Sequence, residues 1–325
     1  MASIKPIHSL VSAVMDGAGT PSLIIEGAGS PHNYALKPSQ AAALQDADLV
    51  FWVGHDLEAF LEKAIDSVAL NARSIALSDA HGLTKIKFRE GGSFDAHGHD
   101  EHNEHDEHDD HDDHDDHDKH DDHDKHDDHD DHDKHDDHDK HDDHGHDDHG
   151  HEGYDPHVWL DPENAKALIH EIEEALVAAD PENAATYERN AEAMMRKLDA
   201  LITEIDAELE PVKGKGYVVF HDAYQYFERR FGVSAVGSIT VSPEILPGAK
   251  RVSELQEKVK SLDATCVFSE PQFEPKLVTT ITENTTARTG VLDPLGASME
   301  SGPGLYFTLI RTMAHSLKDC LLGKS

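Results

Sequence analysis

The chain has 325 residues, 28 of them histidine, and a formal net charge of −38 at pH 7. So acidic a surface repels nucleic acid and anionic membranes, and neither is expected as a partner. No apolar run approaches the roughly 20 residues that span a bilayer, so no direct membrane insertion is expected either. The excess charge is concentrated: residues 97–151 carry 20 of the histidines and a net −23, leaving −15 on the other 270 residues. That remainder is long enough for two domains with real cores. Met1-Ala2-Ser3-Ile4 lacks a charged region followed by an apolar one, so the chain reads as cytosolic or as a mature secreted protein.

In chain order, Ser22-Leu23-Ile24-Ile25-Glu26 reads as a strand closed by the turn residues Gly27-Ala28-Gly29-Ser30-Pro31. It is no dinucleotide fingerprint, because His32 stands where the third glycine belongs. A helix is predicted over 39–45, a strand over 48–53, a helix over 57–69 and a strand over 74–77. Strands separated by helices of this length imply βαβ units and a mostly parallel sheet.

The tract from His97 to His151 follows, with histidine at every third position from His99 to His144 and aspartate filling most places between. Without apolar residues it is predicted to be disordered. Imidazole and carboxylate donors together suit zinc, copper or nickel, though not as one rigid site. The alternative is a solvated acidic linker with incidental histidines.

After the tract, Asp161 and Pro162 have the form of an N-cap and first helical residue. The helix they open has Ala165, Leu168, Ile169, Ile172 and Leu176 on one face. Asp180-Pro181-Glu182 repeats the pattern before a longer helix to about Leu209, whose stripe includes Met194, Leu198, Leu201, Ile205 and Leu209. This helix reads as a stiff connector between two α/β lobes, with a core helix of one large domain as the alternative. The expected division is a first lobe over 1–180 that includes the 97–151 loop, a connecting helix over 181–212, and a second lobe over 213–325. In the second lobe, strands are predicted over 217–220, 233–236, 265–268 and 289–292, with helices over 222–231, 250–261, 276–283 and 306–321. Cys266 and Cys320 are not spaced as a CxxC pair, and read as two buried thiols or as a disulfide worth about 4 kcal/mol in an oxidising compartment.

Ligands of open α/β sheets bind beyond the carboxyl ends of the strands. His221 directly follows one predicted strand, Asp293 follows another, and His32 lies in the loop after a third. His157 is held between Pro156 and Val158 just before a capped helix. Three imidazoles and a carboxylate suit a tetrahedral zinc site. His8, His55, His81 and His315 read as packing or surface residues. His170 begins His-Glu-Ile-Glu-Glu, where Glu174 replaces the second histidine of a zinc-protease helix. Glu270 reads as a partner for a ligand imidazole.

The segments 29–39 (Gly-Ser-Pro-His-Asn-Tyr-Ala-Leu-Lys-Pro-Ser), 155–162 (Asp-Pro-His-Val-Trp-Leu-Asp-Pro) and 220–224 (Phe-His-Asp-Ala-Tyr) resemble the ligand segments of zinc-uptake solute-binding proteins of ABC transporters, the ZnuA-like family. Ser269–Phe273, Leu292–Gly296 and the histidine-rich insertion match it too, so the resemblance spans nearly the whole chain. It implies two lobes joined by a long helix, with Zn(II) held between them by His32, His157, His221 and Asp293. Asp293 is the position that relatives leave to water or to another carboxylate. It also implies a Cys266–Cys320 disulfide, a periplasmic location, delivery to an inner-membrane ABC permease, and no enzymatic activity. A monomer is expected. Manganese-type relatives carry a carboxylate where this chain has His221, and three nitrogens favour zinc. The competing readings are a manganese or other divalent-metal carrier, a zinc buffer or storage protein working through the tract, and a zinc hydrolase with an open fourth position.

Overall fold

The computed structural model describes residues 1–89, 153–240, 248–261, 265–273 and 276–324. The disorder predicted for 97–151 falls outside them. The architecture is α/β, with two parallel sheets flanked by helices and one long helix.

In the first sheet, β1 (Leu49–Trp52) and β2 (Arg73–Ala76) pair in parallel, Leu49 opposite Arg73 and Trp52 opposite Ala76. On the far side of β1 the first residues of the chain take a strand's place. Phe51 N donates to Met1 O and Ser3 N to Phe51 O, both at 3.0 Å. Beyond them, Ile24 N donates to Ala2 O at 2.9 Å and Ile25 N to Ser3 O at 2.8 Å. The strand predicted at 22–26 is thus only a bridge at Leu23, which shares Ala2 with Phe51. Its partner is too short for a longer ladder, because α1 (Lys5–Val14) begins almost at once. Sequence reading did not mark α1, yet all ten of its residues are buried.

Helices α2 (Pro38–Gln45) and α3 (His55–Val68) connect these segments close to the predicted positions. In α4 (Pro162–Ala179) the Asp161 carboxylate accepts from Glu163 N at 2.8 Å, as its N-cap position predicts, and the five expected apolar residues are buried. The long helix α5 (Ala184–Leu209) has 26 residues and is roughly 39 Å long at the usual rise per residue. Its buried stripe, from Tyr187 through Leu198 to Leu209, packs on α1 and α4, and the helix also contacts the C-terminal helix α9 (Leu305–Leu322).

The second sheet contains β3 (Tyr217–His221), β4 (Ala235–Thr240), β5 (Cys266–Ser269) and β6 (Arg288–Val291), all parallel in the order β4-β3-β5-β6. Strand β4 starts two residues later than predicted, since Val233 N still bonds to Glu228 O at 3.2 Å in the turn leaving α6 (Gln225–Phe231). Side chains alternate across this sheet, as strand geometry requires. Tyr217, Val219, Cys266 and Phe268 join the main core, which runs from Ala2 to Leu321. Val218, Phe220 and Val267 face a second, smaller core with Leu255 and Val259 of α7 (Ala249–Ser261) and Val278 and Ile281 of α8 (Lys276–Thr282). A disulfide joins Cys266 to Cys320, tying β5 to α9.

The chain leaves β3 for β4 on one side and returns to β5 on the other. The crevice at the carboxyl ends of β3 and β5 is therefore a topological switch point, where ligands of such sheets bind. His221 ends β3 there, and Glu270 directly follows β5.

Candidate metal centre

Three segments far apart in sequence deliver one imidazole each. His32 rides on the loop after the Leu23 bridge, His157 precedes the 3-10 turn Val158–Leu160, and His221 closes β3. The loop to His32 turns at Gly27, whose φ of +66° lies in the left-handed region that disfavours other residues. At Gly29 a Cβ would come within 2.9 Å of the Tyr34 ring, so only glycine lets the loop lie against that side chain. Gln40 braces the same loop, donating to Ile24 O at 2.6 Å and to the Tyr34 hydroxyl at 2.9 Å while accepting from Lys37 N at 2.8 Å.

One ring nitrogen from each of His32, His157 and His221 lies within 4.8 Å of the others, the one such metal-competent group among the described residues. His157 and His221 are each 4% exposed and His32 is half-buried. Each buried ring has a carboxylate at its back: His157 Nδ1 is 2.7 Å from Asp155 Oδ1, and His221 Nδ1 is 2.7 Å from Glu270 Oε1. Those carboxylates hold the proton of each ring on Nδ1, leaving both Nε2 atoms as lone-pair donors. The two Nε2 atoms face each other at 3.4 Å. At that range two lone pairs repel unless a proton or a metal ion lies between them. Zn–N bonds near 2.0–2.1 Å at a tetrahedral angle put the nitrogens roughly 3.3–3.4 Å apart. The spacing is that of two ligands of one ion.

Protonation follows from burial and neighbours. Burial, reinforced by the other two imidazoles, pushes the pKa of His32 down to about 2. Burial and His221 hold His157 well below the ordinary value. Burial opposes charge on His221 as well, but Glu270 at its Nδ1 overrides it and the pKa is raised. Burial lifts Asp155 to about 7, against the pull of the His157 backbone N–H and the Gln225 amide.

The cavity beside the rings has a volume of about 10 Å³ and is lined by His32, His157, His221, Gln272, Pro294 and Leu295 among others. It has room for an ion or one water. Asp293, the carboxylate expected as the fourth ligand, is not in the three-residue group. Its oxygens accept from Gln272 Nε2 at 2.9 Å and from the backbone N–H groups of Leu295, Gly296 and Ala297 at 3.1, 2.9 and 2.6 Å. Of the remaining histidines, His8 is buried against Pro21 O at 2.9 Å, while His55, His170 and His315 are largely exposed beside surface carboxylates. Sequence reasoning missed Asp155, although its place two residues before His157 across a proline was the available signal.

An α/β fold with three converging imidazoles at a strand-end crevice defines a metal-binding protein. Residues 1–320 match the family described as zinc-uptake complex component A, periplasmic (ZnuA). The high-affinity zinc uptake system protein ZnuA of Brucella abortus (strain 2308) is 58% identical over 319 residues, covering 98% of this chain and 90% of that protein. Its namesake from Haemophilus influenzae is 40% identical over 321 residues, covering 99% and 92%. A solved structure of a zinc-bound ZnuA deletion mutant shares the fold, with a TM-score of 0.70 at 22% identity, covering 98% of this chain and 96% of that one. The chain belongs to the ZnuA family of periplasmic zinc-uptake components.

Proposed function

We propose that the protein captures Zn(II) through Nε2 of His157 and His221 together with His32, and hands it to an ABC permease in the inner membrane. The observation that carries this is the 3.4 Å approach of two imidazole nitrogens whose opposite nitrogens are both tied to carboxylates. The fourth position goes to Asp293 or to a water. The geometry favours water, because Asp293 already holds four N–H donors. Three nitrogen ligands select zinc over manganese, which prefers oxygen.

In this reading the lobes are residues 1–180 and 213–325, the segment 181–212 stiffens them, and the carrier works as a periplasmic monomer. A hydrolase is disfavoured by two features. The cavity is about 10 Å³, and Glu270, which also lines it, is engaged through Oε1 at Nδ1 of His221. The tract at 97–151 serves as an auxiliary weak zinc binder that raises the local ion concentration.

Zinc titration of a variant lacking residues 97–151 tests the proposal, beside His32→Ala, His157→Ala and His221→Ala in that background. A carrier retains one tight ion per chain, lost in each histidine variant. A buffer protein loses nearly all binding with the tract.

A further inference from the structure

Next to the metal centre stands a small ribbon that the binding mechanism has not used. Residues 86–89 run antiparallel to 153–155: Lys87 pairs with Tyr154, Phe88 N donates to Gly153 O at 3.3 Å, and Asp155 N donates to Ile86 O at 2.8 Å. A two-stranded ribbon has little stability of its own, so what it rests on decides where it lies. It rests on α6 and the turn before it. The Tyr226 hydroxyl accepts from Ile86 N at 3.1 Å and donates to Asp155 O at 2.7 Å, touching both strands at once. Gln225 Nε2 donates to Asp155 Oδ2 at 3.0 Å.

At the end of the ribbon, Arg89 places Nη1 3.3 Å from Asp222 Oδ1 and Nη2 against Glu228 Oε2. Those two side chains are 9% and 3% exposed, so two nearly buried carboxylates share one guanidinium. Removing its charge would leave two nearly buried carboxyl groups without their cation, so they must take up protons or reach water, and in either case the ribbon loses its tie to Asp222 and Glu228. Release of the ribbon would carry Asp155 with it. Asp155 Oδ1 bonds both Nδ1 and the backbone N of His157, at 2.7 and 3.0 Å.

We propose that Arg89 is a positioning residue for the metal centre: by pinning the 86–89/153–155 ribbon to Asp222 and Glu228 it holds Asp155, and through Asp155 the His157 ring, in the orientation that binds the ion. This rests on the reading of His32, His157 and His221 as zinc ligands. It adds a connection that enters from the side away from the ion, through residues that touch no metal.

The test measures zinc affinity of the full chain by competition with a chelator strong enough to empty weak sites. The variants are Arg89→Gln, Tyr226→Phe, His157→Ala and, as a control for losing an ion pair elsewhere, Arg311→Gln. Arg311 pairs with Glu204 at 2.8 Å, joining α9 to α5. Partners of ligand imidazoles typically contribute 10–100-fold in affinity, so Arg89→Gln, one step further out, is expected to weaken the tight site by about tenfold. Arg311→Gln is expected to leave it unchanged.

The zinc-free protein supplies a signature that a merely structural role would not produce. The ring N–H resonance of His157, assigned from its loss in His157→Ala, should move in Arg89→Gln and stay in place in Arg311→Gln. The proposal is overturned if Arg89→Gln keeps affinity within threefold of the parent with the His157 resonance unmoved. Should Arg89→Gln fail to fold, Tyr226→Phe decides by the same two readouts. If His157→Ala itself retains tight binding, the ligand assignment falls and this proposal with it.

Discussion

At the level of single residues, two carboxylates stand 2.7 Å behind two imidazoles, and in the proposed site they would set both the strength and the proton cost of binding. Glu270→Gln keeps the size of the side chain but removes the charge that orients and polarises His221, and is expected to weaken zinc about 10–100-fold by chelator competition. The pH dependence follows from which groups hold protons in the free site. His221, with its pKa raised, is protonated below roughly pH 6.5, and Asp155, near 7, is protonated there as well. His32, near 2, and His157, well below the ordinary value, are already neutral. Zinc binding near pH 6 should therefore release about two protons, from His221 and Asp155. Calorimetry in buffers of different ionisation enthalpy counts them, and three or more would mean that a further group, His32 or His157, starts protonated. Affinity falls as pH drops and protons occupy His221 and Asp155, because they compete with the ion for the same site.

Among the elements, the loop after β6 carries much of the join between the two sheets. Asp293 holds its N–H groups, and the buried Lys5 ammonium at the start of α1 donates to the carbonyls of Gly296, Ala297 and Met299 at 3.0, 2.8 and 2.8 Å. Trp159 Nε1 donates to Pro294 O at 2.9 Å from the segment that carries His157. Lys5→Met leaves three carbonyls without their donor and should cost about 2–4 kcal/mol in denaturant unfolding. The Cys266–Cys320 disulfide acts elsewhere, on α9. With a separation of 54 residues it restrains the unfolded chain by about 4 kcal/mol on the loop-entropy account. Cys266→Ser/Cys320→Ser should lose most of that in unfolding experiments while leaving zinc affinity within a few-fold, since neither cysteine lines the ion cavity.

For the whole molecule, the imidazoles at positions 32, 157 and 221 meet only in the folded chain, so on the proposed reading zinc binds the native state in preference to the unfolded one. Free zinc at a thousand times Kd should raise stability by about 4 kcal/mol. Thermal melts with and without chelator check this in the form lacking 97–151, and His221→Ala should abolish the shift. The two sheets share a strand order: in each, the first segment lies between the second and the third. One loop past the first sheet and one strand end of the second thus bring His32 and His221 together, and α5 packs along both the N-terminal helices and α9.

Local pattern was enough for the helices with clear apolar periodicity, α3, α4, α5 and α9, for most of the parallel strands, and for naming His32, His157 and His221 as candidates, because strand ends and caps are marked within a few residues of sequence. Resemblance to known ligand segments, rather than cysteine spacing, singled out the pairing of Cys266 with Cys320. Long-range geometry decided the rest. Residues 1–3 become the middle of a sheet only because segments around 23 and 51 offer them backbone partners on both sides. The N–H groups of the turn that follows Asp293 bond its oxygens, a partnership that the sequence around it does not announce. Asp155 and Glu270 acquire their roles from atoms 2.7 Å away, and for Glu270 that neighbour lies 49 residues back along the chain. Periodicity reports which face of an element is buried; which donor meets which acceptor is settled only when the elements pack.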